Sequence, residues 1–185
     1  NSLGTFKLLK AAKKNKVSKF LYFSTAHVYG SPLIGEVNEE LLPRPVHPYS
    51  ITHRVAEDYV LEEAYKARLS ASVFRLTNAV GSPITPQANC WMLVANDFCR
   101  QAVISNNIKV HSNKLLQRDF IPISSICSII SSSLNSNVLD GEIVNLSSGI
   151  SITLQSLATL IADRTEIVLG FRPHIDFLNN SIETG

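Results

Sequence analysis

Short apolar runs alternating with amphipathic stretches constrain the fold of this chain most. Phe20-Leu21-Tyr22-Phe23 is the clearest run, and Ser72-Val73-Phe74-Arg75-Leu76 and Glu142-Ile143-Val144-Asn145-Leu146 repeat the pattern. Their brevity and their aromatic and β-branched content favour buried strands. Between them the apolar spacing turns helical. Leu3, Phe6, Leu9 and Ala12 share one face of residues 2–15, with Lys7, Lys10 and Lys14 away from it. Val55, Ala56, Tyr59 and Val60 do the same from residue 49 to about residue 67, after Pro48, which suits a helix start. Further helices are expected over residues 92–103, about 124–133 and 154–163, with short extended pieces at 108–110 and 120–123. Residues 30–48 hold Gly30, Pro32, Gly35, Pro43, Pro45 and Pro48, a proline-stiffened loop of a length that often carries function. Residues 173–177 read as a late linker. Alternating strands and helices imply an α/β layered fold with a largely parallel sheet.

Composition narrows the class. With 185 residues, 45% hydrophobic and 17% charged, the chain can bury a sizeable core. The net charge is +2, and the densest basic run, Lys10, Lys13, Lys14, Lys16 and Lys19, reads as a solvated helix end rather than a nucleic-acid patch. No apolar run reaches the ~20 residues of a membrane span. Cys90, Cys99 and Cys127 are odd in number and fit no metal spacing, so buried free thiols in a reducing compartment, the cytoplasm, are expected. His47, His111 and His174 also lack ligand spacing and read as surface or loop residues, and Trp91 as a packing residue. The first residues, Asn1-Ser2-Leu3-Gly4-Thr5, have neither an initiator Met nor a signal-peptide design, so Asn1 is not expected to be the natural start.

The chemistry concentrates in two places. Phe23-Ser24-Thr25-Ala26-His27-Val28-Tyr29-Gly30 puts two hydroxyl residues at the carboxyl end of a buried strand, where open α/β sheets bind ligands. About 24 residues later, Pro48-Tyr49-Ser50-Ile51-Thr52-His53 opens a helix. Residues four apart share a helix face, so Tyr49 and His53 are expected to point together into the cleft of Thr25. Arg54 should point about 100° away. Tyr29 and Gly30 read as turn-shaping residues.

Ser-Ser/Thr-x-x-Val-Tyr-Gly followed by Pro-Tyr-x-x-x-Lys is the signature pair of the extended short-chain dehydrogenase/reductases, and this sequence resembles that family's sugar-nucleotide epimerases and dehydratases. The flanks agree in order. Asn1-x-x-Gly4-Thr5 resembles the helix before the catalytic strand, and Arg75-Leu76-Thr77-Asn78 with Gly81 the Arg-x-x-Asn-x-x-Gly stretch. Arg118-Asp119-Phe120-Ile121 resembles a diphosphate-binding segment, and residues 141–146 with Gly149 a late core strand. The resemblance implies a partial Rossmann-like, doubly wound, mostly parallel sheet over residues 1–82. A small C-terminal substrate-binding region over 83–185 would be interleaved with the last core strands. It implies catalytic roles for Thr25, Tyr49 and His53, and NAD or NADP contacts from Asn1, Ser24, Tyr49, His53 and Leu76. A nucleotide-sugar substrate would meet Thr25, Asn78 and Arg118, whose planar guanidinium suits bidentate phosphate recognition. Arg118 could instead form a structural ion pair with Asp119 or another acid.

Three departures qualify this. His53 stands where the family has lysine. An ammonium there favours an ionised phenol, whereas a histidine near its ordinary pKa of about 6.5 is mostly neutral at pH 7 and shorter. Weak or no redox chemistry is therefore expected of the chain as written. The Gly-x-x-Gly-x-x-Gly turn that holds a dinucleotide pyrophosphate does not occur in these residues. The 20–23 strand is then expected at an uncovered sheet edge, which favours dimerisation, strand exchange or a companion segment. Finally, Ala26 and His27 occupy the positions where 4,6-dehydratases carry Asp-Glu, which favours epimerisation or reduction. The competing reading is a catalytically degenerate relative acting as a binding or assembly module.

Overall fold

The computed structural model describes residues 1–66 and 69–177. Along the chain it has α1 (Ser2–Lys14), β1 (Lys19–Thr25), a 3-10 turn (Ala26–Tyr29), α2 (Pro48–Tyr65), β2 (Ser70–Leu76), β3 (Asn78–Val80), α3 (Val94–Ser105), β4 (Asn107–Val110), β5 (Gln117–Pro122), α4 (Ile123–Leu134), β6 (Ile143–Leu146), β7 (Ser151–Thr153), α5 (Leu154–Leu169) and β8 (His174–Phe177). The expected end of the second helix at residue 67 lies outside the described residues. The chain forms two units, each discontinuous in sequence: residues 1–77 with 124–147, and residues 78–123 with 148–185.

In the first unit a parallel sheet runs in the order β1-β2-β6. Its core joins Leu9 and Ala12 of α1, Val60 of α2, and Leu69, Ala71 and Val73 at β2. Those helix positions are the apolar stripes of the sequence, so periodicity and packing agree. The carboxyl ends of the strands fall in register, with Thr25 beside Leu76 and Leu76 beside Leu146. Among the described residues β1 is a sheet edge, as its sequence led one to expect, and Phe23 is 43% exposed. The lysine run divides. Lys13 and Lys14 close α1, where cations suit the helix carboxyl end. Lys19 instead opens β1 and pairs with Asp140 at 3.1 Å.

The second unit packs α3 and α5 on β4 through Ala95, Phe98, Ala102, Ile108, Val110, Leu154, Leu157, Ala158 and Ala162. β3 pairs parallel with β5, β5 antiparallel with β7, and β4 parallel with β8. Three expectations are corrected here. Residues 174–177 are a strand, not a linker, because Ile175 and Phe177 alternate toward the unit's core. The last helix continues past residue 163 to Leu169. Its polar Arg164-Thr165-Glu166 turn hid the continuation, and the stop is Gly170 at φ +78°, a left-handed cap. The cysteines are free, but Cys99 and Cys127 are exposed rather than buried.

The loop after the 3-10 turn is anchored at its base. The Tyr29 hydroxyl donates to Asn145 Oδ1 at 2.8 Å, and Asn145 Nδ2 donates to the Val37 carbonyl at 3.3 Å. The Asn145 N–H donates to Glu39 Oε1 at 2.7 Å. Gly30 makes the exit possible: its φ is +115°, and an added Cβ would lie 3.0 Å from the Arg44 carbonyl oxygen. Gly30→Ala is therefore expected to cost about 1–3 kcal/mol, read as a fall in urea midpoint. An unchanged midpoint would mean the loop's path is not fixed there.

Candidate active site

The first unit brings Tyr49 and His53 together, as the i, i+4 spacing requires. His47 caps α2, its Nδ1 accepting from the Tyr49 N–H at 3.2 Å. Pro48 then supplies the first helical residue, where its missing N–H costs nothing. One turn on, the His53 ring lies 4.6 Å from the Tyr49 ring, edge to face. Tyr49 is half exposed and His53 is 8% exposed, so one ring meets solvent and the other supports it. The fixed hydrogen bond of His53 goes to Tyr22 on β1, whose hydroxyl lies 2.9 Å from Nδ1. Burial lowers the pKa of His53, and Glu57 opposes the shift. The imidazole is therefore neutral at pH 7, as its place in the sequence suggested.

Ser24 and Thr25 take different partners, since successive strand residues face opposite sides. Ser24 donates to Glu57 Oε1 at 2.5 Å inside the protein. The Thr25 Oγ1 accepts from the His27 N–H at 3.2 Å and caps the 3-10 turn. Accepting leaves the Thr25 O–H proton for another acceptor. Leu76 ends β2 beside Thr25. Asn1 reaches α2, where its Nδ2 donates to Thr52 Oγ1 at 3.2 Å.

Beneath these residues lies a group the sequence reading passed over. Glu57 is fully buried and takes both prongs of Arg75, Nε at 3.0 Å and Nη2 at 2.7 Å. Arg54 adds a third contact at 3.0 Å and also pairs with Asp58 at 2.7 Å. The expected divergence of Arg54 is thus onto its own helix. Arg75 also lies under the Tyr29 ring, 4.7 Å from its centroid. Burial pulls the Arg75 pKa down, but the Glu57 hydrogen bonds outweigh it and the guanidinium stays charged. The signal was present: Tyr49, His53 and Glu57 are spaced i, i+4, i+8 and continue one helix face. A carboxylate on that face needs a buried partner, and Arg75 in the apolar run of β2 is it.

In the second unit, Asn78 Nδ2 donates to the Asp119 carbonyl at 2.8 Å, and Arg118 Nη1 donates to Asn78 Oδ1 at 3.4 Å. Arg118 Nε is buried with no hydrogen-bond partner among the described residues. The Asp119 carboxylate accepts from the Ser148 N–H at 2.9 Å and hydroxyl at 2.7 Å. Among the described residues no His/Cys/Asp/Glu group could hold a metal ion, and no helix is long and apolar enough to cross a membrane. His47 is a cap, His174 lies 2.9 Å from Asp176 on β8, and Trp91 donates to the Pro86 carbonyl at 3.1 Å.

The model of the NAD dependent epimerase/dehydratase family matches residues 1–147. The chain belongs to that family. It is 29% identical over 174 residues to the GDP-6-deoxy-D-mannose reductase of Pseudomonas aeruginosa, covering 91% of this chain and 56% of the relative. It is 26% identical over 158 residues to the human dTDP-D-glucose 4,6-dehydratase, covering 85% of this chain and 43% of the relative. Among solved structures, MoeE5 in complex with UDP-glucuronic acid and NAD superposes with a TM-score of 0.78 at 22% identity, over 98% of this chain and 58% of MoeE5. RMD from Pseudomonas aeruginosa complexed with NADPH gives 0.75 at 27% identity, over 95% and 60%. The chain thus spans only part of the proteins it matches, and its Rossmann-type α/β fold is theirs.

Proposed function

We propose that this chain carries the proton-transfer part of an NAD(P)-dependent epimerisation or reduction of a nucleotide sugar. The observation that carries the reading is the half-exposed Tyr49 ring, seated edge-on at 4.6 Å against a buried His53 at the start of α2. The donor set fits the nicotinamide end of the cofactor. Tyr49 offers a hydroxyl to solvent, Thr25 retains an O–H to donate, and Leu76 gives an apolar neighbour at the strand ends. NAD(P), when bound, supplies the acceptor and donor of hydride. Tyr49 takes the proton of the sugar hydroxyl as the carbon is oxidised and returns it when the carbonyl is reduced. Thr25 holds the same oxygen by hydrogen bonding. In the second unit, taken by itself, Asn78 and Arg118 carry amide and guanidinium donors, the latter of a kind suited to a diphosphate. Ala26 offers no titratable group for dehydration, which favours epimerisation or reduction.

A second reading, a catalytically degenerate relative that serves as a binding or assembly module without the cofactor, is favoured by one observation: His53 is held neutral, so no positive charge from this position supports an ionised Tyr49. Reduced-nicotinamide fluorescence separates the two. Micromolar binding of NAD(P)H contradicts the degenerate reading, and no binding even in His53→Lys contradicts the enzyme reading for these residues. The relatives' names define the substrate panel: UDP-, dTDP- and GDP-linked sugars.

The β1 edge also supports self-association of this chain. Light scattering is expected to give a mass of at least two chains. A monomer whose β1 amides resist hydrogen exchange would contradict it.

A further inference from the structure

Tyr22 is the unexplained neighbour of the active-site face. It lies on β1 with its hydroxyl 2.9 Å from His53 Nδ1, and its ring is 5.9 Å from the imidazole. We propose that Tyr22 is a positioning residue for His53: its hydroxyl donates to Nδ1, so the neutral ring carries its proton on Nε2 and offers one N–H donor where the family has a lysine ammonium. The inference rests on the proposed roles of Tyr49 and His53.

The direction of the Tyr22–His53 hydrogen bond follows from the groups around it. Thr5 of α1 stabilises negative charge on the Tyr22 oxygen. A phenol has one proton to give, and Nδ1 is the acceptor within reach. Burial, with Glu57 and Tyr49 nearby, pushes the Tyr22 pKa up to about 12, so the proton stays on oxygen. The titratable groups around the imidazole are Tyr22 from β1 and Tyr49 and Glu57 from α2. A neutral imidazole fixed in this tautomer can bind a hydroxyl oxygen of the cofactor or sugar. It cannot supply the charge that favours an ionised Tyr49, so Tyr22 should act on binding rather than on the rate of proton transfer.

Ring nitrogen NMR on 15N-histidine-labelled protein tests this, with His53→Gln identifying the signal. The expected wild-type result is a bare Nδ1 and a protonated Nε2 at neutral pH. In Tyr22→Phe the single tautomer is lost and the His53 titration midpoint rises by roughly half a unit to one unit, the scale of one lost hydrogen bond. NAD(P)H affinity falls about three- to tenfold while kcat holds. A wild-type ring protonated on Nδ1 overturns the proposal, and so does a Tyr22→Phe ring with unchanged tautomer and midpoint. The wild-type spectrum decides alone if Tyr22→Phe does not fold. An Nε2 tautomer that saturating NAD(P)H leaves unmoved supports the Tyr22–His53 assignment and contradicts the proposed function, so the two failures are distinguishable.

Discussion

Glu57→Ala is expected to destabilise the first unit by about 3–5 kcal/mol, the scale for removing one partner of a buried ion pair. Arg75 is 1% exposed, and the substitution would leave its guanidinium in the core facing a cavity. Ser24 would lose its acceptor as well, and Arg54 one of its two carboxylate partners. Urea unfolding should show a midpoint lowered by more than ~1 M. Glu57→Leu combined with Arg75→Met removes both charges at similar volume and should recover most of the loss. That recovery separates an unpaired charge from lost packing. A Glu57→Ala midpoint close to wild type would show that water reaches Arg75 and the pair is not buried in solution.

Tyr49→Phe is expected to lower turnover about 10²- to 10⁴-fold, the usual worth of a positioned acid/base. The ring and its edge-to-face contact with His53 would survive, so the fold should not change and cofactor affinity should fall far less than turnover. Loss in kcat with binding retained is the signature of a group that acts on the reacting proton. Equal loss in affinity would assign Tyr49 to binding instead.

The fold was legible because its elements obey simple periods. α1 and α2 show their apolar stripes, and β1, β2 and β6 follow the short apolar runs, but only β2 is buried along most of its length, β1 lying at the sheet edge. β3 and β7 were not legible, being only three residues long. β8 was masked by Pro173 and by a charge at Asp176, although its alternation was there. At the site, Tyr49 and His53 followed from helix geometry. Glu57 was missed because a lone carboxylate on a helix reads as solvated until its partner is found on another strand. Tyr22 was missed because an aromatic in an apolar run reads as core. Its hydroxyl acquires a role only when α2 brings His53 within 2.9 Å. The direction of Ser24 toward Glu57 and of Thr25 toward its own turn likewise depends on tertiary placement, since adjacent hydroxyl residues look alike in sequence.

The central claim is that Tyr49 moves a sugar hydroxyl proton while hydride passes between the sugar and nicotinamide. The direct measurement is the absorbance of reduced nicotinamide when the chain, with bound NAD(P), meets the panel of nucleotide sugars. The expected result is slow, saturable hydride transfer with at least one sugar, faster in His53→Lys and lost in Tyr49→Phe. Bound cofactor with no hydride transfer from any sugar, in wild type and in His53→Lys alike, would contradict it.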